Sequence, residues 1–265
     1  MDKDRHFLPH LTWPELEATV ARTDVAIMPI GSIEQHGPAL PLGTDTLLAE
    51  RVAREAARRA DAVCVPSTWV GLSSHHMAFP GSLTLSDEVF VRYVLEVAGS
   101  LARHGFRKIL LYNGHGGNEA AMAYLVDRIT KTTGASAALF GIAELRKIYL
   151  GGNAHLLDIH AGINETSGVL AAYPELVVTD AIERPTMRLE PHRTAVLERV
   201  SDDPSLLRYA TLGLPDVHEI SSNGCITLGD PRTATAERGH DTFRRYVDAV
   251  VAFIDTWRSA VPRST

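Results

Sequence analysis

Apolar residues fall into two rhythms along this chain. Short unbroken runs, Val25-Ala26-Ile27-Met28-Pro29-Ile30, Ala62-Val63-Cys64-Val65, Lys108-Ile109-Leu110-Leu111-Tyr112 and Ser136 to Ile142, read as buried strands. Between them the period lengthens. Leu47, Leu48, Val52 and Ala56 recur at helical spacing from Asp45 to Arg59, with arginines between them. Ser86 to His104 has a capping serine, acids in its first turn and Gly105 as a terminator. A further helix is predicted from Glu119 to Thr132, and Thr12-Trp13-Pro14-Glu15 has the form of a helix start with a capping box.

Strands thus alternate with helices through residue 142. That order predicts an α/β fold, a three-layer sandwich with a mostly parallel sheet covered by helices on both faces. The second half is less regular. Glu165 to Tyr173 reads as a helix stopped by Pro174, residues 180–233 are rich in Pro, Gly and Asp and are expected to be irregular, and Glu237 to Trp257 reads as a final helix. With no repeat or linker, residues 1–265 are expected to form one domain.

Composition removes several function classes. Hydrophobic residues make up 45% and charged residues 22%, which is ordinary for a globular chain. The net charge of −6 offers no basic face for nucleic acid, and no apolar run is long enough to span a bilayer. Met1 to His6 is charged and lacks the apolar stretch of a signal peptide. Cys64 and Cys225 form no C-x-x-C pair and read as small hydrophobes, a lone catalytic cysteine being the alternative. A cytoplasmic protein acting on a small molecule, with no nucleic-acid or membrane partner, is expected.

The twelve histidines change the picture, because several stand beside glycine or carboxylate residues. In parallel α/β sheets ligands bind beyond the carboxyl ends of the strands. Two loops in that position carry metal-binding side chains: Gly31 to Asp45, with Glu34, His36 and Asp45, and Asn113-Gly114-His115-Gly116-Gly117-Asn118. Each residue has a plainer reading. Asp45 could cap a helix, His115 could be a turn histidine and Glu34 a solvated charge. Their convergence suits zinc or manganese, with iron also compatible, and a two-ion site typically ~3.5–4 Å across can hold a hydroxide between the ions and polarise a carbonyl. Asp158 to Ser167 fits the same site. Glu165 is either a first-turn acid or a last ligand, and His160 a proton shuttle. Ser73, Ser74, His75 and His76 on the 66–85 loop, with Gly116, are candidate substrate contacts or loop hydrogen-bonding residues. The zinc-helix motif H-E-x-x-H, the phosphate-binding loop and the nucleophile elbow are absent.

These motifs, with His75 to Leu83, His160-Ala161-Gly162, Glu165-Thr166-Ser167 and Gly229 to Thr235, resemble the creatininase (creatinine amidohydrolase) family in the same order from about Leu11 to Gly239. The resemblance implies a dinuclear centre, one ion on Glu34, Asp45 and His115, the other on His36, the bridging Asp45 and a further carboxylate. It also implies His160 in proton transfer and a homo-oligomer, often a hexamer. Creatininase itself has a glutamate ligand where this chain has Gly117, so Glu165 is assigned as the replacement. It also has a tryptophan shortly before the shuttle histidine, where this chain reads His155-Leu156-Leu157-Asp158. The resemblance therefore points to the branch with the Gly116-Gly117 pattern, whose members hydrolyse formamides, precursor peptides, lactones or cyclic amides, and to a C–N hydrolase. A sugar-lactone hydrolase or isomerase on the same site is the alternative, and a non-enzymatic binding protein is the more distant one.

Overall fold

A computed structural model describes residues 3–141, 158–187 and 216–259. Its core is a four-stranded parallel sheet in the order β2-β1-β3-β4, formed by β1 (Val25–Ile30), β2 (Val63–Cys64), β3 (Lys108–Asn113) and β4 (Ser136–Gly141). Side chains alternate across the strands, and each face meets its own helices. Ala26, Met28, Ile30, Ile109 and Leu111 face α3 (Asp87–Arg103) and α4 (Glu119–Thr133). Val25, Ile27, Leu110 and Tyr112 face α2 (Thr44–Arg59) and α7 (Ala236–Ser259). Both faces of β1, β2 and β3 are buried apart from Lys108, and edge strand β4 is partly buried, which explains why the strands read as unbroken apolar runs. Each large side chain so buried contributes roughly 1.5–3 kcal/mol.

The helix boundaries have local causes. In α1 (Trp13–Val20) the Thr12 amide and hydroxyl both donate to the Glu15 carboxylate at 2.8 Å. Ser86 accepts from the Val89 amide at the start of α3, and α4 ends at Gly134 in the left-handed region. Asp45 does not cap α2. The helix begins at Thr44 with Gly43 at the cap, so Asp45 lies inside the first turn with its carboxylate free for other work.

Residues 180–233 are less irregular than their composition suggests where they are described. A short helix, α6 (Val217–Ile220), and a two-residue strand, β6 (Ile226–Thr227), are present, and β6 pairs antiparallel with β5 (Asp158–His160). Strands this short carry no readable period. The helix expected from Glu165 spans Ile163–Ala172 (α5). It starts two residues earlier because both oxygens of Asp158 accept from its first amides, Ile163 and Asn164, at 3.0 Å. Ile142 and the wall residues 155–157 lie outside the described residues. No helix among the described residues is long and apolar enough to cross a membrane.

Strand order places the site. The chain leaves β1 for β2 on one side through α2, then returns past β1 to β3 through α3 on the other face, as right-handed crossovers require. The carboxyl ends of β1 and β3, with Ile30 level with Asn113, therefore open a crevice at the switch point. The loops after both strands rise from it. On the α2 side, α5 is clamped against α7. A side chain on Gly239 would strike the main-chain carbonyl of Ser167 and the Ala171 side chain.

Gly239→Ala should therefore push α5 off α7 and destabilise the protein by about 1–3 kcal/mol. A lowered urea midpoint with an unchanged slope is expected. An unchanged midpoint would show that the two helices have slack.

Candidate metal centre

Glu34 and His36 stand on the loop after β1. That loop is folded back by the Glu34 amide on the Leu42 carbonyl at 2.9 Å and tied to α2 by the Thr46 hydroxyl on the Ser32 carbonyl at 3.1 Å. His115 follows β3. The turn carrying it presses on the first turn of α2, where any side chain on Gly114 would meet the Asp45 carbonyl and Ala49. Glycine is required at 114 by that approach. His160 ends β5, and Glu165 lies in the first turn of α5.

Glu34, His36, Asp45, His115 and Glu165 converge with His160 in one cluster. Asp45 is its centre, with Oδ1 lying 3.2 Å from His36 Nε2 and Oδ2 lying 3.0 Å from His115 Nδ1. Glu34 Oε2 is 3.2 Å from His115 Nε2, and a Glu165 oxygen is 3.8 Å from His36 Nε2. The donors form three overlapping groups able to hold a metal ion: Glu34, Asp45 and His115; His36, Asp45 and Glu165; and Glu34, His36 and His160. The first two are the groups expected from the family resemblance with Glu165 as the further carboxylate, and Asp45 is common to both.

The hydrogen bonds fit cation ligation. A carbonyl only accepts, so a ring nitrogen against one must carry the proton. His36 Nδ1 lies 3.1 Å from the Glu34 carbonyl, His115 Nε2 is 3.1 Å from the Leu72 carbonyl and His160 Nε2 is 2.6 Å from the Gln35 carbonyl. The other nitrogen of each neutral ring then turns a lone pair to the cluster, as metal-binding histidines do when an outer partner fixes the tautomer. Glu34 Oε1 and Asp45 Oδ2 are buried without a hydrogen bond. Orphaned carboxylate oxygens among imidazoles are costly unless a cation satisfies them. The cluster is a dinuclear divalent-metal site, whose ions supply Lewis acidity and a water made nucleophilic at neutral pH.

The electrostatics agree. Burial opposes charge on His36, but Asp45, with Glu165 and Glu34 beyond it, outweighs burial and raises the imidazole to about 9. His115 is likewise raised against burial by Glu34 and Asp45. Burial works to raise the Asp45 carboxyl, and the two imidazoles overcome it and hold Asp45 well below the usual carboxylate range. His160 differs. Burial first, then His36, lowers it to about 3 against the pull of Glu34 and Asp45, so it rests neutral.

The candidate substrate contacts separate into two sets. Ser73 and His76 lie behind Glu34. The Ser73 hydroxyl donates to Glu34 Oε2 at 2.6 Å and is itself met by the Ser32 hydroxyl, and His76 Nε2 is 3.3 Å from Glu34 Oε1. Ser74 and Gly116 are exposed, and His75 is half-buried and stacked on His115 with ring centroids 5.7 Å apart. Gly117 has no room for a side chain, which would strike the Leu72 carbonyl and the His115 ring. The carboxylate near His36 instead comes from Glu165, which accepts from the Ala161 amide at 2.6 Å. Ala161, between His160 and α5, takes a φ of 49°, the left-handed region that costs a non-glycine residue energy. Ser32, Gln35 and the capping Asp158 also belong to the site's framework, and position within a motif is the one signal of them in the sequence.

A family model described as creatininase, creatinine amidohydrolase, matches residues 9–254, and the chain belongs to that family. The mycofactocin precursor peptide peptidase of Mycobacterium ulcerans is 33% identical over 255 residues, covering 93% of this chain and 86% of that protein. The 3-dehydro-scyllo-inosose hydrolase of Thermotoga maritima is 31% identical over 175 residues, 63% of this chain and 56% of that protein. The solved structure of a manganese creatininase superposes with a TM-score of 0.78 at 25% identity, over 96% of this chain and 99% of the other.

Cations and protons compete here, because the carboxylates that raise His36 to about 9 are also the metal donors. A raised histidine is protonated below that value and must release its proton to ligate. Metal affinity should therefore rise with pH up to about 9, by about tenfold per pH unit for each proton displaced. Zinc titration calorimetry at pH 7.5, repeated in buffers of different ionisation enthalpy, should show net proton release. Asp45→Ala should abolish both the release and stoichiometric binding. Zinc uptake without proton release would contradict the arrangement.

Proposed function

We propose that this chain is a metal-dependent amidohydrolase that cleaves a C–N bond, in an amide, lactam or formamide, of a small molecule or short peptide. The observation that carries this reading is the Asp45 carboxylate, which offers one oxygen to each histidine of a buried two-ion donor set. The ligands of the reading are Glu34, Asp45 and His115 for one ion and His36, Asp45 and Glu165 for the other, with zinc or manganese as the metal and iron compatible with the same donors. The finer placement is in the branch with Gly116-Gly117 rather than with creatininase itself. The closed space at Gly117 and the carboxylate supplied by Glu165 support it.

The protein's own groups divide the work. His160 rests neutral, with its proton on Nε2 pinned to the Gln35 carbonyl and its Nδ1 lone pair directed at the cluster, 3.6 Å from Glu34 Oε1. A base so placed takes a proton from the attacking water and returns it to the leaving nitrogen. Ser73 and Ser32 hold the Glu34 carboxylate in place. His75 and Gly116, at the rim, are the groups positioned to meet substrate. The whole chain, 1–265, acts as one domain, and a homo-oligomer, with the hexamer as the expected form, is part of the same proposal. Leu42, Trp69 and Leu83, exposed on loops beside the site, supply apolar surface for it.

A second reading is a sugar-lactone hydrolase or isomerase on the same centre, which gains support from a relative whose named substrate, an inosose, is a polyhydroxylated ring. A panel of formamides, lactams, short peptides and lactones, assayed with the zinc- and manganese-loaded enzyme, separates the two. Release of amine or formate is expected, and turnover of lactones alone would favour the second reading. His160→Ala should retain both ions by elemental analysis and slow turnover ~10²–10⁴-fold. Loss of an ion from that variant would make His160 a ligand, as its grouping with Glu34 and His36 allows.

A further inference from the structure

Gln35 lies between two proposed ligands, is buried and touches two further histidines. Its amide can be oriented by its neighbours. Oε1 is 2.9 Å from the Gly37 amide, which only donates, and Nε2 is 3.2 Å from the Gly224 carbonyl, which only accepts. The flipped amide would oppose both, so the NH₂ group faces inward. There it lies 2.9 Å from His76 Nδ1 and 2.9 Å from His160 Nε2.

It cannot donate to both rings. His160 Nε2 is 2.6 Å from the Gln35 main-chain carbonyl and so already carries a proton, and two N–H groups do not bond to each other. The two amide hydrogens therefore go to the Gly224 carbonyl and to His76 Nδ1. An accepting Nδ1 puts the proton of neutral His76 on Nε2, 3.3 Å from Glu34 Oε1. A side chain on Gly224 would collide with the Gln35 amide, and Gly224 has a φ of 80°, so the loop is shaped to bring that carbonyl in.

We propose that Gln35 is a positioning residue of this centre, whose carbonyl fixes the proton of His160 on Nε2 and whose side-chain amide fixes the proton of His76 on Nε2, so that the polarised Nε2–H of His76 faces Glu34 Oε1 at 3.3 Å, an electrostatic contact without hydrogen-bond geometry that steadies the carboxylate. One residue thereby sets the tautomers of two histidines whose rings lie 4.4 Å apart. The inference deepens the metal-centre reading, yet its first test does not need it.

The test is long-range ¹⁵N–¹H correlation of the imidazoles in ¹⁵N-histidine-labelled protein, both metal-free and loaded with zinc, with His76→Ala used for assignment. The wild-type protein should show His76 as the Nε2–H tautomer both without metal and with zinc. An Nδ1–H tautomer in either form overturns the proposal whatever any variant does. Gln35→Met, which keeps the volume and removes the donor, should move His76 to a mixture or to Nδ1–H, leave His160 as Nε2–H because the main-chain carbonyl remains, and weaken zinc about 10–100-fold in competition with a chelator. A merely space-filling Gln35 would leave the His76 tautomer unmoved, which also overturns the proposal. If Gln35→Met fails to fold, Gln35→Glu, which can only accept at that position when ionised, should turn His76 to Nδ1–H, and retention of Nε2–H would count against the idea. A protein that binds no zinc at all refutes the metalloenzyme reading while the metal-free spectra still decide the role of Gln35.

Discussion

A buried carboxylate shared by two imidazoles is the interaction on which the rest of this structure depends. Asp45 sits in the first turn of α2, out of reach of bulk water, with one oxygen toward His36 and the other toward His115. Such a group is tolerated only if every neighbour is held in register. The surrounding sequence reads as the means of doing so. Gly114 lets the β3 turn touch α2, Thr46 ties the β1 loop to the same helix, and Ser32 and Ser73 fix Glu34 from behind. The parallel sheet contributes by placing the ends of β1 and β3 side by side.

Much of this was legible in the residues, for identifiable reasons. The four strands of the main sheet are apolar on both faces, and α2, α3 and α4 carry clear periods and terminators, so the α/β order could be read directly. The cluster was legible because metal donors are chemically distinctive and stood on loops after strands. Behaviour set by long-range contact was not legible. Ser73 and His76 share a loop with Ser74 and His75, and nothing local shows that the first pair turns inward to Glu34 while the second pair stays at the rim. Gln35 carries no local signal of its role, because its partners are 41, 125 and 189 positions away. Strands β5 and β6, three and two residues long, are specified by pairing rather than by pattern.

Family membership and site geometry constrain different things. The family match and the superposition with a creatininase speak for the fold and the two-ion centre. The relatives carry names as different as a precursor peptide peptidase and an inosose hydrolase. A shared centre with divergent substrates is what a scaffold with a fixed floor and variable walls produces. The closed space at Gly117, against the Leu72 carbonyl and the His115 ring, is part of the floor.

The distribution of the donors along the chain has a consequence for how the centre is held. Glu34, His36 and Asp45 come early in the chain and His115 later, whereas Glu165 is carried by α5, which packs against α7 near the C-terminus. One donor group rests on the pairing of β1 with β3. The other rests also on the packing of α5 against α7. The second donor group thus depends on a contact between α5 and a helix near the C-terminus, so the centre ties the first strands of the chain to its last described helix.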